Sequence, residues 1–332
     1  MTGSATAPAA APTGWHALRE RLPPLSIIGP FVALLIACIF FSLESKRFLT
    51  GQNFSLIAQQ VMVVGVVAIG QTIIILTGGI DLACGMVMAL GSMVMAKLAV
   101  EAGVSPHVAI GCGLLLTTFF GWLNGMLVTF IRLPPFIVTL GTLNIAFAIT
   151  QIYSDAQTVS DLPEPLVFFG ETFQIGSTAV SYGTVLMLVL YLVFWLVLRE
   201  TAVGKHVYAV GNHAEAARLM GISTRRVLIG VYTVAGLLYG LAGLLTVART
   251  GVGDPQAGQT DNLDSITAVV LGGTSLFGGR GVITGSLIGA LIVGVFRNGL
   301  TLMGVASVYQ VLVTGVLVIL AVATDRITRR GT

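Results

Sequence analysis

The feature that most constrains this chain is a series of long apolar runs separated by short polar stretches. A helix needs about 20 apolar residues to cross a bilayer. The runs lie near 25–43, 54–77, 85–100, 107–130, 135–153, 180–198, 227–248, 282–297 and 306–323, with a shorter one at Ile266–Phe277. Only 9% of the residues are charged, against about 25% in soluble domains. The sequence therefore predicts an all-α polytopic membrane protein with about ten transmembrane helices.

The placement of Lys and Arg predicts the orientation of the chain. Cytoplasmic loops of membrane proteins carry an excess of these residues. With ten spans and a cytoplasmic N-terminus, most of the 17 Lys and Arg residues fall in the cytoplasm. The loop 154–179 contains four acidic residues and no Lys or Arg, which favours the outside. We expect a disordered cytoplasmic tail at 1–24, a transmembrane domain at 25–325, and a cytoplasmic tail at 326–332.

A weak internal repeat relates two parts of the chain. Shifting the segment 108–146 by 174 positions aligns Asn124 with Asn298 and Gly125 with Gly299. In the predicted topology the two segments run in opposite directions, as in the inverted repeats of transporters. Because glycine is frequent here, with 41 residues, chance can also account for some of the match, and both explanations stay open.

Two segments, Thr77–Gly85 and Leu271–Gly281, interrupt the apolar pattern with paired glycines and a polar or charged centre. Irregular backbone persists at membrane depth only where protein or a water-filled cavity covers it. Broken helices at related positions indicate a translocation path. The residues predicted to line this path are Gln71, Asp81, Asn124, Asn144, Thr274, Ser275 and Phe277.

Asp81 is the only acidic residue between Glu44 and Glu101. Acids inside a membrane are costly, so Asp81 is a candidate for the path or for a proton relay. The alternative, which we favour, is that its side chain caps the helix that follows. The Asn and Gln side chains within apolar runs also have an alternative to lining the path, because such side chains often form hydrogen bonds between helices.

No pattern in the sequence indicates an enzyme. The four His residues are scattered, and there is no nucleophile elbow or phosphate-binding loop. Cys38, Cys84 and Cys112 lie in or beside apolar runs without metal-ligand spacing. The net charge of +3 is too small to suggest nucleic acid. We predict no catalytic residue, no metal site and no cofactor in this chain.

The segment "YAVGNHAEAARLMGI", Tyr208–Ile222, is a polar island in the longest cytoplasmic loop. We expect Gly211 to break the preceding structure and a short helix to follow it. Glu215 and Arg218 would lie one turn apart and form an ion pair. Gly221 would stop the helix. One interpretation is a contact surface for another protein, with Ala216, Leu219 and Met220 on one side; the other is a helix resting on lipid headgroups.

This segment resembles the coupling helix of permease subunits in ABC importers, at about 211–221. From about residue 25 to 325 the chain resembles the ribose-type monosaccharide permeases of the branched-chain amino acid/ribose permease superfamily. Three motifs carry the resemblance: "LTGGIDLACG" at 76–85, "YAVGNHAEAARLMGI" at 208–222, and "AVVLGGTSLFGGRGVITGSLIGA" at 268–290. The chain departs from the family where Asn262 precedes Leu263 and Asp264, because the family commonly has Glu at that position.

The resemblance implies a type II ABC importer fold in the bacterial inner membrane. Two permease chains, identical or closely related, would form one pathway for a monosaccharide, such as a ribose-like pentose or a hexose like fructose. A cytoplasmic subunit would bind ATP and magnesium, and a periplasmic binding protein would deliver the sugar. The implied ATPase-coupling residues are Gly211, Asn212, Glu215, Ala216, Ala217, Arg218 and Gly221. Lys46, Arg47 and Arg249 are expected on the outer face, where they could dock the binding protein.

The main alternative is a secondary transporter that uses Asp81 as a proton or sodium site. Broken helices and an inverted repeat fit that class equally well. Against it, Asp81 has no obvious charged partner in the apolar runs, and a coupling-like helix would have no role.

Overall fold

The computed structural model describes residues 25–330, with side chains for 29–319, 322 and 323. The predicted N-terminal tail at 1–24 lies outside the described residues. The chain is mostly helical, as predicted. The helices and strands, in order, are α1 Leu25–Glu44, α2 Gly51–Leu76, α3 Cys84–Val100, α4 Pro106–Met126, α5 Pro135–Ser154, α6 Glu164–Val167, β1 Thr172–Ile175, β2 Thr178–Ser181, α7 Tyr182–Glu200, α8 Ala202–Asn212, α9 Ala214–Leu219, α10 Thr224–Thr250, α11 Asp261–Leu271, α12 Ile283–Leu302 and α13 Ser307–Arg330.

Each predicted apolar run contains a helix. Among the described residues, six helices are long and apolar enough to cross a membrane: α2, α4 with its π-helical extension to Ile131, α5, α7, α10 and α12. Within the residues whose side chains are described, α1, α3 and α13 contribute shorter apolar stretches, Gly29–Glu44, Cys84–Val100 and Ser307–Ile319. Six spans are therefore supported, and the total of about ten stays a prediction, as does the inverted repeat.

The all-α expectation is wrong at one place. The acidic loop before α7 contains an antiparallel hairpin in which Thr172 pairs with Ser181 and Ile175 pairs with Thr178. Each strand has only four residues, so the period-2 signal is too short to stand out between two apolar helices.

Helix α2 forms the centre of the bundle, and every residue from Val61 to Leu76 is buried. Helices α4 and α10 pack closely through small residues: a Cβ added at Gly121 would lie 2.9 Å from the Cα of Gly236. Glycines at such crossings allow transmembrane helices to approach backbone to backbone. The bundle core is thus tightly packed around α2 and α10.

The outward faces of α1, α5, α7 and α13 are apolar and exposed. Examples are Leu43, Ile152, Leu192 and Ile319, each more than half exposed. An exposed apolar surface of this extent is unusual for a soluble monomer. It is the surface expected of a protein in contact with lipid on α1, α7 and α13, and with lipid or a second membrane-spanning chain on α5.

The loops fall on two opposite faces of the bundle. Val159 and Gly253 exchange backbone hydrogen bonds of 2.8 and 2.9 Å, which joins the acidic loop to the loop after α10. Helix α7 separates the acidic loop from α8, and α10 separates α9 from Gly253. Helices α8 and α9 therefore lie at the opposite face from these two loops, in agreement with the predicted topology.

Candidate functional site

The first broken segment follows α2. The helix ends at Leu76, Gly78 has a φ of 81°, and the chain stays irregular until α3 begins. Asp81 is buried, and its Oδ1 accepts a hydrogen bond of 2.7 Å from the backbone amide of Ala83. The Gln71 amide donates to the carbonyl of Asp81. The carboxylate thus satisfies the backbone amide of Ala83 in the turn that leads into α3. It is not the predicted helix cap, because the N-cap position is Ala83, which has no side-chain hydrogen bond.

Side chains from other helices cover the backbone of this segment. The Thr139 hydroxyl of α5 lies 3.2 Å from the carbonyl of Ile80 and accepts from the amide of Leu82 at 3.1 Å. The Asn262 amide of α11 donates to the carbonyl of Leu82 at 3.3 Å. Irregular backbone at membrane depth needs such partners, because an unsatisfied group there costs several kcal/mol.

The second broken segment lies between α11 and α12. Its loop closes through a backbone hydrogen bond of 2.9 Å from Ser275 to the carbonyl of Arg280. Gly278, Gly279 and Gly281 have positive φ angles, a conformation that residues with a side chain rarely adopt. The "FGGRG" spacing is therefore a requirement of this loop.

The two broken segments and α8 meet at one place, which we call the junction. The amide of Gly279 donates to the carbonyl of Leu76 at 2.9 Å. A Cβ added at Gly211 of α8 would lie 1.7 Å from that same carbonyl oxygen. The Tyr208 hydroxyl of α8 donates to the carbonyl of Gly281 at 2.9 Å. Burial raises the pKa of Tyr208, so the hydroxyl stays protonated as a donor.

The predicted break at Gly211 is wrong. Helix α8 continues through it to Asn212, and the chain turns at His213 instead, where φ is −158° and ψ is 95°. The His213 Nδ1 accepts a hydrogen bond of 3.2 Å from the amide of Ala216 and caps α9. Glycine is required at position 211 by the contact with Leu76, which the sequence pattern does not reveal.

Helix α9 projects from the junction as a short exposed element. The predicted ion pair is present, with the Arg218 Nη2 2.9 Å from the Glu215 Oε2. Leu219 and Met220 are 84% and 83% exposed. The other predicted coupling residues divide as follows: Asn212, Ala216 and Gly221 are exposed, Gly211 is partly buried and Ala217 is buried. The arrangement presents an apolar tip beside a charged pair, and it is held at its base by the junction.

The predicted path residues differ in their surroundings. Gln71, Asp81, Asn124, Thr274 and Ser275 are buried, whereas Asn144 and Phe277 are exposed. The Asn124 Oδ1 accepts a hydrogen bond of 2.6 Å from the Thr142 hydroxyl of α5. Asn298 donates to the Asn53 Oδ1 at 2.9 Å. The side chains of Asn124 and Asn298 therefore form hydrogen bonds between helices, which was the alternative to a path-lining role.

The predicted docking residues lie on the face opposite α9. Lys46 and Arg47 are exposed in the turn between α1 and α2, and Arg249 is exposed at the end of α10. One end of α2 lies near α8, and one end of α10 lies near α9. The three cations lie at the other ends of these two helices, so they share the face opposite α9. Sequence reasoning missed Tyr208 and Thr139 as contact residues; Tyr208 lay within a quoted motif, but nothing in the sequence indicated Thr139.

Comparisons with known proteins place the chain in context. A model of the family described as "Branched-chain amino acid transport system / permease component" matches residues 53–322. The chain is 45% identical to the fructose import permease protein of Rhizobium meliloti, over 91% of this chain and 85% of that protein. It is 40% identical to the ribose import permease protein of Bacillus subtilis, over 90% and 92%. No solved structure matches the chain significantly.

Proposed function

The chain belongs to the family of permease components of branched-chain amino acid transport systems, and we propose that it is the membrane subunit of an ATP-driven ABC importer for a monosaccharide. The similar proteins named above import fructose and ribose, and a third, 38% identical over 90% of both chains, is a D-allose transport system permease protein of Escherichia coli. We favour a pentose or hexose, a type II importer fold with about ten spans, and a bacterial inner membrane location with both termini in the cytoplasm.

The junction is the observation that carries this proposal. Helix α9 is exposed, and α8 connects it to both broken segments through Gly211 and Tyr208. Because the Gly211 backbone is in contact with Leu76, α8 cannot move toward α2 without displacing it. Packed contacts of this kind shift between discrete arrangements rather than deform gradually. A force applied to α9 would therefore reach both broken helices directly.

The partner that applies this force would be a cytoplasmic ATP-binding subunit. The chain contains no phosphate-binding loop, so ATP and magnesium would bind to that subunit. The apolar Leu219 and Met220 beside the charged Glu215 and Arg218 fit the usual composition of an interface, an apolar centre with a polar rim. ATP binding would draw two such helices together and switch the pathway between inward and outward states.

A second copy of the permease would complete the pathway. Asn144 and Gly141 lie on the outward face of α5, and nothing lies within 4 Å of a Cβ added at Gly141. A polar amide facing lipid is unfavourable, whereas small and polar residues are enriched where membrane helices pair. We therefore place α5 in the interface of a homodimer.

A periplasmic sugar-binding protein would dock on the opposite face. Lys46, Arg47 and Arg249 are exposed there and could pair with carboxylates of the binding protein. Such pairs contribute more to encounter and orientation than to affinity.

The experiment that tests the proposal is copurification from the native host. The tagged permease is extracted in mild detergent and ATP hydrolysis is assayed in the eluate, beside a double variant, Glu215→Ala with Arg218→Ala. An exposed ion pair contributes only about 0–1 kcal/mol to stability, so the variant should fold. The matched control replaces Arg199 and Glu200, an exposed pair with a separation of 3.0 Å outside α9.

We expect the wild type and the control to carry ATPase activity and the α9 variant to lose most of it. If no ATPase accompanies the wild type in several mild detergents, the importer proposal is wrong.

A further inference from the structure

A polar cavity of about 370 Å³ opens at the face opposite α9, between α2, α10, α12 and the loop 252–260. Its polar lining includes Gln60, Arg249, Asp254, Asp261 and Arg297. We propose that this cavity is a transient sugar-binding site, occupied after the binding protein releases the sugar and before the sugar passes the broken helices. This inference rests on the importer function proposed above.

Gln60 provides the first observation. Its Oε1 is buried and has no hydrogen-bond partner among the described residues. Buried polar groups are nearly always paired, and an unpaired one costs free energy. Gln60 lines the cavity, and a rotation of its terminal amide would turn this oxygen toward a hydroxyl group of a bound solute, which supplies the missing donor.

The charged residues that line the cavity provide the second observation. Two acids, Asp254 and Asp261, face two cations, Arg249 and Arg297, so the lining carries no net charge. The Arg297 Nη1 lies 3.0 Å from the Oδ2 of Asp264, whose side chain is only 5% exposed. This buried partner holds the guanidinium in place, and an arginine has five N–H donors. The remaining donors of Arg297 are available to the cavity.

Such a balanced set of donors and acceptors suits a neutral polyhydroxylated solute. A sugar hydroxyl both donates and accepts, so it can bridge a carboxylate and a guanidinium. A solute with a net charge gains no advantage from a lining whose charges cancel. The chemistry of the lining thus favours a monosaccharide over an anion or a cation.

The size and walls of the cavity agree with this assignment. Its volume falls within the range of about 300–1,000 Å³ that is typical of small-molecule sites. Val61, Val64 and Val293 form apolar walls that can pack against the C–H face of a sugar ring. Among the described residues that line it there is no aromatic side chain. Contacts without aromatic stacking suit a passage site, which must release its solute as well as bind it.

The test measures sugar imported per ATP hydrolysed. The importer, with the subunits that copurify with it, is reconstituted into proteoliposomes, and uptake of labelled D-fructose, D-ribose and L-leucine is recorded beside ATP hydrolysis. The variants are Gln60→Leu and Asp261→Asn. The matched control is Gln59→Leu, because Gln59 neighbours Gln60 on α2 but does not line the cavity and its amide donates to Ser55.

We expect both cavity variants to lower the ratio of sugar to ATP roughly three- to tenfold, the factor for one lost hydrogen bond, with ATP hydrolysis unchanged. The control should keep the wild-type ratio. An unchanged ratio in both cavity variants overturns the proposal. So does an equal fall in uptake and in ATP hydrolysis, because that result would mean the cavity serves docking or assembly.

The wild-type liposomes separate this inference from the function on which it rests. If no ATPase copurifies, or if L-leucine is imported and neither sugar is, the monosaccharide importer itself is rejected, and the sugar site with it. If a sugar is imported with normal coupling by every variant, the importer stands and only the cavity assignment is wrong.

Discussion

The backbone amide of Gly279 donates a hydrogen bond of 2.9 Å to the carbonyl of Leu76, near the last turn of α2. The final four carbonyls of a helix have no partner within the helix, so the second broken segment caps the helix that leads into the first. The Gly211 backbone packs against the same carbonyl oxygen. One atom of Leu76 is thus shared by three segments that are distant in the sequence.

Replacing Gly211 with Ala should damage the junction. The new Cβ would lie 1.7 Å from the Leu76 oxygen, with backbone on both sides and no flexible side chain to move away. Overpacking of a close contact costs about 1–3 kcal/mol. We expect a lower midpoint of thermal unfolding in detergent and a marked loss of ATP-dependent uptake.

Gly230→Ala is the control for this substitution. Gly230 lies in α10, and nothing lies within 4 Å of a Cβ added there. Alanine is favoured over glycine in a helix by about 1 kcal/mol, so stability should stay equal or rise. If Gly211→Ala behaves like Gly230→Ala, the close contact of α8 with α2 is not needed.

Tyr208→Phe tests the other link of α8. It removes only the hydroxyl that donates to the carbonyl of Gly281, and a hydrogen bond of this kind contributes about 0.5–1.5 kcal/mol. We expect a fold close to wild type, a small decrease in thermal stability, and less sugar imported per ATP. Tyr309→Phe serves as control, because Tyr309 is 63% exposed. Normal coupling in Tyr208→Phe would show that this link does not transmit force.

The part of the site that depends on local spacing could be predicted from the sequence. Glu215 and Arg218 are three residues apart on a short helix, and that spacing alone brings their side chains together. The apolar runs likewise located the helices, because their length is set by the bilayer.

The part that depends on long-range contacts could not be predicted. Gly211 was expected to end a helix, since glycine is a poor helix former, yet its role is to admit the carbonyl of Leu76. The junction is formed largely by backbone atoms of residues about 70 to 200 positions apart in the sequence, and side-chain periodicity carries no information about such pairs. The hairpin Thr172–Ser181 was missed because its strands are short.

Substitutions of Asp81 distinguish an ATP-driven importer from an ion-coupled transporter. Its Oδ1 accepts from the amide of Ala83 at 2.7 Å, and an Asn side chain can keep that contact without the charge. We expect Asp81→Asn to import sugar within about twofold of wild type. Asp81→Ala should lose stability by about 1–3 kcal/mol, because a buried amide is left unpaired.

The measurement is uptake into proteoliposomes loaded with ATP, with and without a protonophore combined with a sodium ionophore. Uptake by a transporter coupled to protons or sodium would be abolished by Asp81→Asn and by the ionophores alike. If uptake is insensitive both to Asp81→Asn and to collapse of the ion gradient, and if Asp81→Ala loses stability, the carboxylate has a structural role.

The proposed homodimer can be examined by crosslinking through α5. In a background with Cys38 and Cys112 replaced by Ser, Asn144→Cys should form a disulfide-linked dimer in native membranes on mild oxidation, because the outward amide of Asn144 is placed at the interface. Leu192→Cys on α7 is the control, since Leu192 is 56% exposed on a face assigned to lipid. A dimer band for Asn144→Cys and none for Leu192→Cys is the expected result on a denaturing gel. Monomers from both variants would place Asn144 in lipid, where only its hydrogen bond of 3.0 Å to the carbonyl of Leu140 would offset the cost of burying the amide.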